Sequence, residues 1–165
     1  MNEFLNNLSS IPEWTPPITW TTEVGDQWKH RESRKLIRAL YEKWREIMAS
    51  LNGVNAWCGE ADSPFAEMMQ GHLKCMLGNG MIVAVKIKGA AAADLYVNKM
   101  ENATIIRQHA MGIAAGLSLL EAEGAAELHH VAAIRADISE FRCLFLDWTA
   151  TFERDDYKDE WGLFN

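Results

Sequence analysis

The sequence predicts an all-α protein: an antiparallel up-down bundle of four helices, with an extended N-terminal arm and a short acidic-aromatic C-terminal tail. Three observations predict this fold. Apolar residues recur at helical spacing over long stretches, helix-forming residues fill those stretches, and the breaks between them are short. For 165 residues we expect one domain. We divide the chain into the arm at residues 1–25, the bundle domain at 26–155 and the tail at 156–165.

Composition narrows the classes of function. The formal net charge of −7 disfavours general nucleic-acid binding, because proteins that bind duplexes neutralise phosphates with Lys and Arg. Three cysteines without a C-x-x-C pair match neither a disulfide scaffold nor a zinc site, and they suit a reducing compartment. We see no signal peptide and no apolar run long enough to span a bilayer. We therefore expect a soluble cytoplasmic protein that does not bind membranes.

The arm is marked by prolines and tryptophans. Pro12, Pro16 and Pro17 block a regular helix and push the residues before them towards extended conformations. Trp14 and Trp20 lie among and just after them. We expect this segment either to lie in a groove of its own bundle or to dock on another subunit.

The first two helices are predicted from apolar spacing and from their ends. The first runs from about Asp26, as N-cap, to Asn52, which precedes a glycine. The second starts at Ser63 and Pro64, since Ser is a good N-cap and Pro is favoured at the first helical position. The glycines at 78–80 predict its end.

Residues 81–88 are the main ambiguity. They read locally as a strand after a hairpin-like Asn-Gly, but the segment before them alternates poorly and the alanines after them favour a helix. We therefore predict one long helix over residues 81–121, loosened at Gly89. After a break at Gly124, a final helix runs over residues 125–152.

The predicted long helix has a consequence for assembly. About 40 residues extend roughly 60 Å, farther than the second helix can cover, so the arm or a second subunit must bury the excess apolar surface. Gly112 and Gly116 lie four residues apart among alanines. This spacing lets two helices approach closely, either within the bundle or in a symmetric dimer. The sequence thus favours a homodimer.

A single Glu-x-x-His motif offers a candidate metal site. Glu127 and His130 have the spacing found in carboxylate-bridged di-iron bundles, where positions three apart share a helix face. They make a divalent metal a candidate cofactor. The alternative is an ordinary helix start with an acid near its positive end. We prefer it, because a di-metal site needs a second such motif and two further glutamates.

His109 and Asp137 form a candidate catalytic pair. If the last two helices are antiparallel about Gly124, these two residues come close together, and the carboxylate would orient the histidine as a general base or a ligand. A satisfied core contact is the alternative. No serine or cysteine is placed by sequence to complete a triad.

Basic residues are concentrated on the first helix. Arg31, Arg34, Arg38 and Arg45 form a stripe beside its apolar face, while the rest of the chain is acidic. Such a stripe is either a solvated face or a docking face, with an acidic partner or the acidic C-terminal segment of a second copy as the bound group.

We therefore expect a non-enzymatic helical bundle that binds another protein, as a small acidic regulator, inhibitor or adaptor, and that self-associates. Exposed aromatic and arginine side chains are the usual anchors of interfaces. The predicted partner-binding residues are Trp14, Trp20, Arg31, Arg34, Arg38 and Trp161. The first alternative is a metal-binding bundle with oxidoreductase or hydrolase activity. The second is a carrier of an apolar small molecule held between the helices.

Overall fold

A computed structural model describes residues 11–22, 30–54 and 63–164. Regular secondary structure in these ranges is entirely helical, so the prediction of an all-α bundle is confirmed. The helices are α1 (Thr19–Thr22), α2 (Arg31–Asn52), α3 (Pro64–Ala92), α4 (Tyr96–Ala122) and α5 (Leu128–Thr149).

The helices α2 and α5 pack side by side. The rings of Trp44 and Phe141 lie with their centroids 4.7 Å apart, and His130 Nε2 donates to the Ser50 carbonyl at 3.0 Å. Contacts therefore move backward along α5 as they advance along α2, and the two helices run in opposite directions.

The same relation holds between α3 and α4. His72 Nε2 donates to the Gly116 carbonyl at 3.3 Å, and Asn79 Oδ1 lies 3.1 Å from His109 Nδ1. Contacts move backward along α4 as they advance along α3, so these two helices also run in opposite directions.

The core lies between the four long helices. Trp44 is fully buried, and its indole Nε1 donates to the Gly80 carbonyl at 2.8 Å, which satisfies the polar end of the ring. No buried side-chain nitrogen or oxygen in the described part of the chain lacks a partner. The largest fully buried side chains include Trp44, Trp148, Tyr41, Leu40, Ile47, Met48, Met69, Met76, Ile87, Ile106 and Ile113.

The predicted end of the second helix at residues 78–80 is wrong. Its start is as predicted, with Ser63 Oγ accepting a hydrogen bond from the Ala66 amide at 3.1 Å, but α3 continues unbroken through 29 residues. Gly80 does not end the helix, because it is the point where Met48 of α2 packs against the backbone of α3. Burial of the neighbouring apolar side chains outweighs the cost of about 1 kcal/mol for each helical glycine.

The predicted long helix over residues 81–121 is also wrong. Residues 81–88 are helical, as predicted, but they belong to α3. The chain turns at residues 93–95, where Ala93 adopts an extended conformation. The helices on either side, α3 and α4, have 29 and 27 residues. Since they match in length, the difference in helix length that suggested a second subunit is absent.

The remaining helix ends lie close to their predicted positions. Gly124 breaks the chain with a left-handed φ of +62°, as a helix C-terminus favours. The helix after it, α5, starts at Leu128 and ends at Thr149, within three residues of the prediction at each end. The helix α2 ends at Asn52 as predicted, but it starts at Arg31 with His30 at the N-cap position. This start is five residues after the predicted cap Asp26, which itself lies outside the described residues.

The described part of the arm, residues 11–22, lies on its own bundle. Ile11 is buried in the core. Tyr41 Oη of α2 donates to the Pro12 carbonyl at 2.9 Å, and Trp20 Nε1 donates to the Ala91 carbonyl of α3 at 2.9 Å. These contacts match the first of the two hypotheses for the arm.

Of the described helices, α3 alone has the length and apolar composition that would also suffice to cross a bilayer. In the bundle, 39% of its apolar window is buried. A core helix meets the same criterion, so this property by itself is weak evidence for a membrane.

Candidate docking surface

A groove of about 660 Å³ opens between the arm and α2. Its lining contains four of the six predicted partner-binding residues, and it adds a lysine that the sequence prediction leaves out. The lining residues are Trp14, Pro16, Trp20, Arg34, Lys35, Arg38, Ala39 and Glu42. Together with Arg31, one turn earlier on α2, we call this region the arm–α2 surface.

Both tryptophans of the arm–α2 surface are held by contacts within the chain. The Trp14 ring lies 5.2 Å from the Tyr41 ring and 5.8 Å from the Trp20 ring, measured between centroids. The Trp20 indole is further fixed by its hydrogen bond to Ala91. A partner would meet two half-buried rings that are already in position, which lowers the entropic cost of binding.

The cations of this surface are mostly unneutralised. Arg31, Lys35 and Arg38 are exposed and make no ion pair or hydrogen bond with any residue that the structure describes. The Arg34 guanidinium lies 5.0 Å from the centre of the Trp20 ring, within the range of a cation–π contact.

Two other cations of α2, Lys43 and Arg45, are paired with carboxylates, unlike the exposed cations of the arm–α2 surface. Lys43 Nζ lies 2.7 Å from Glu140 and 2.7 Å from Glu46, and the hydrogen bonds that it donates to these two carboxylates raise the pKa of the lysine. Arg45 Nη1 donates to Glu42 Oε2 at 2.8 Å. Glu42 is the acid in the groove lining. Because Arg45 pairs with it, Glu42 does not neutralise the cations of the groove.

The chain was compared with known proteins. No protein-family model matches it, and no curated protein and no solved structure shows significant similarity. The assignment of the arm–α2 surface as a candidate site therefore depends on its geometry alone.

Trp161 does not join the arm–α2 surface. It lies in the tail with 90% of its surface exposed, while Leu163 and Phe164 line a separate groove against α3 and α4. The structure thus brings together the arm and α2 members of the predicted set, and leaves the tail member apart.

The structure does not bring the two predicted metal ligands together. Glu127 Oε2 contacts His129 Nε2 at 3.1 Å, whereas His130 turns towards α2 and donates to the Ser50 carbonyl. In residues 11–22, 30–54 and 63–164 no group of three His, Cys, Asp or Glu side chains is placed to hold a metal ion.

The predicted pairing of His109 with Asp137 is wrong. His109 faces α3, where it meets Asn79, and Asp137 faces α2, with Oδ1 3.5 Å from Lys43 Nζ. The prediction treated α4 and α5 as close neighbours along their whole length, but each packs mainly on a different helix.

Gly116 serves packing within the chain. A methyl group added there would lie 2.7 Å from Met76 Sδ, so the glycine lets α4 approach α3. Gly112 is exposed, and the nearest atom to such a methyl would be Asn79 Nδ2 at 4.0 Å.

Lys35 is the member of the site that the sequence prediction missed. It lies four residues after Arg31 and on the same helix face, and that spacing was the available signal. The groove itself had no such signal, because it depends on where the arm docks.

Proposed function

We propose that this protein is a non-enzymatic binding module, a small regulator or adaptor, whose arm–α2 surface docks an acidic segment of a partner protein. The observation that carries the proposal is that Arg31, Lys35 and Arg38, which make no ion pair with a described residue, lie around one groove with two fixed indole rings. Complementary charge steers the encounter and sets specificity, and immobilised aromatic rings supply the apolar contact that anchors an interface.

An acidic polypeptide suits this surface better than a nucleic acid. The formal net charge is −7, so a long polyanion that reached beyond the groove would be repelled by the rest of the molecule. A short acidic segment meets the local positive charge alone. Cys75 and Cys143 are exposed free thiols, which supports a reducing compartment such as the cytoplasm as the site of binding.

A peptide-display selection tests the proposal without assuming a partner. The wild-type protein, immobilised through its C-terminus, is used to select from a random peptide library. We expect enrichment of peptides rich in Asp and Glu, and loss of their binding to the variant Arg31→Glu/Lys35→Glu/Arg38→Glu.

The matched control reverses three exposed cations elsewhere, in the variant Lys74→Glu/Arg154→Glu/Lys158→Glu. It changes the net charge equally and should bind the selected peptides as the wild type does. Circular dichroism checks that both variants keep their helix content. Peptides without acidic enrichment, or equal loss in both variants, would contradict the proposal.

Self-association is a second candidate, because the C-terminal segment is acidic. Residues 153–160 contain five acidic and two basic side chains, so this segment of a second copy has the chemistry that the arm–α2 surface would bind. Sedimentation at micromolar concentration tests this. A dimer that dissociates in the Arg31→Glu/Lys35→Glu/Arg38→Glu variant would support it, and a monomeric wild type would exclude it.

A further inference from the structure

A second groove, of about 550 Å³, lies between α4 and α5. Its base is formed by side chains that are buried or half-buried, among them Ala110, Phe141 and Phe145, while Met111 and Leu146 stand at its mouth and are 55% and 54% exposed. We call this region the α4–α5 groove. No residue lines both this groove and the one on the arm–α2 surface.

Two arginines flank the apolar lining. Arg107 comes from α4 and Arg142 from α5, and both are exposed. Neither makes an ion pair or hydrogen bond with a described residue, and the residues three and four positions away on their own helices are all uncharged. Arg135 differs, because it donates to Ser118 and to Glu121. The groove thus combines apolar surface with positive charge that nothing in the described chain neutralises.

We propose that the α4–α5 groove binds one amphipathic α-helix of a partner protein, with acidic residues beside its apolar stripe. The groove follows residues 107–114 of α4, a length of about 10 Å, which equals about two helical turns. Two turns accommodate anchors at positions i, i+3 or i+4, and i+7, as in the helix-in-groove mode of recognition. Acidic residues on the flanks of such a helix would pair with Arg107 and Arg142.

A second copy of this chain is a poorer occupant. A two-fold axis through the groove would set the arginines of one copy near those of the other, and the groove lining contains no acid to compensate. Like charges held together across an interface disfavour the complex. An acidic partner helix avoids that repulsion. The inference does not rest on the function proposed for the arm–α2 surface.

Fluorescence anisotropy with two designed peptides tests the inference. Each is an amphipathic helix of about five turns with a leucine stripe, and its flanking positions are Glu in one peptide and Lys in the other. We expect the Glu peptide to bind the wild-type chain at least about tenfold more tightly than the Lys peptide, about 1.4 kcal/mol. When it is added to a chain that already carries Arg31→Glu/Lys35→Glu/Arg38→Glu, and so lacks the other surface proposed to bind acidic segments, Arg107→Glu/Arg142→Glu should reverse the preference, a result that misfolding cannot produce.

The control variant Arg31→Glu/Arg38→Glu changes the net charge equally on the other surface, and should leave the preference for the Glu peptide intact. Leu146→Glu alters an exposed apolar side chain and should abolish binding of the Glu peptide. Failure of both peptides to bind, or an unchanged preference after Arg107→Glu/Arg142→Glu is introduced, would overturn the inference. Saturable binding of oleate, an apolar small molecule, without binding of either peptide would also overturn it.

Discussion

Two glycines of α3 have opposite surroundings. A methyl group at Gly80 would overlap with the buried Met48 side chain, whereas one at Gly78 would meet nothing within 4 Å. Glycine inside a helix costs about 0.5–1 kcal/mol relative to alanine, because it loses more conformational freedom on folding. Because Gly80 has no side chain, Met48 of α2 can pack against it. Glycine at position 78 brings no such packing advantage.

Alanine at the two positions should therefore act differently. We expect Gly78→Ala to raise the free energy of unfolding by about 0.5–1 kcal/mol. In Gly80→Ala, displacement of Met48 from the core costs about 1–3 kcal/mol and cancels that gain. Urea unfolding followed by circular dichroism measures both. Equal stability of the two variants would show that Met48 moves aside without cost.

Tyr41 joins the core to the arm. Burial raises the pKa of its phenol, and its hydroxyl donates to Pro12. Since the folded state holds the phenolic proton to higher pH than the unfolded state, this contribution to stability is complete below about pH 10 and is lost as the pH rises through the folded pKa.

Titration of tyrosinate absorbance checks this sign. The chain has three tyrosines, and we expect one of them to ionise at higher pH than the others in the folded protein. The late step should be missing in Tyr41→Phe, which also loses about 0.5–1.5 kcal/mol of stability with its hydrogen bond. Ionisation of every tyrosine together in the wild type would contradict the prediction.

At the scale of elements, helix ends were predictable where a local signal coincided with the end of the buried pattern. Ser63 and Gly124 are such cases, because an N-cap side chain and a left-handed φ act locally. The turn at residues 93–95 had no local signal, since alanines precede it and the glycines lie upstream. Tertiary packing sets its position.

The start of α4 shows how distant residues complete an element. Leu95, at the N-cap position, makes no side-chain cap. Asp155, in the segment that follows α5, supplies one by accepting a hydrogen bond from the Tyr96 amide at 2.7 Å. The carboxylate also lies near the positive end of the helix.

Removal of this distant cap should weaken α4 locally. We expect Asp155→Ala to lower the free energy of unfolding by about 1 kcal/mol and to speed hydrogen exchange at the Tyr96 amide. The neighbouring Asp156→Ala, which removes an exposed acid without that hydrogen bond, is the control. A similar loss in both variants would assign the effect to charge alone.

The candidate site was predictable in its residues and not in its shape. The arginine stripe and the arm tryptophans are visible in the sequence, since both residue types are typical of interfaces. Their juxtaposition depends on the arm lying against α2, which the sequence left open. The α4–α5 groove had no sequence signal, because Arg107 and Arg142 lie on different helices and become neighbours only when these pack.

At the scale of the whole molecule, positive charge is confined within an acidic protein. The cations of α2 and α5 that lie between helices are neutralised by ion pairs, as Lys43 and Arg135 are. Arg31, Lys35 and Arg38 at the arm–α2 surface, and Arg107 and Arg142 at the α4–α5 groove, make no ion pair with a residue that the structure describes. We therefore expect an acidic segment to be attracted to these two grooves and repelled by the acidic parts of the surface.

Ionic strength should control binding at the arm–α2 surface. Screening shortens the Debye length from about 30 Å at 0.01 M to about 8 Å at 0.15 M salt, so we expect an acidic peptide to associate more slowly and bind more weakly as salt rises. Stopped-flow fluorescence measures the association rate. In Arg31→Glu/Lys35→Glu/Arg38→Glu the salt dependence should vanish or change sign. An association rate that ignores salt in the wild type would argue for purely apolar recognition.

The hydrogen bonds from Tyr41 and Trp20 hold the arm on the bundle, and under the proposed function the strength of this docking would control binding. Residues of the arm form one wall of the arm–α2 surface, so under the proposed function only molecules with the arm in place would bind a partner. The apparent dissociation constant is then the intrinsic one divided by the seated fraction. Any modification, protease or competing ligand that displaces the arm would lower the apparent affinity without changing the arginines of the surface.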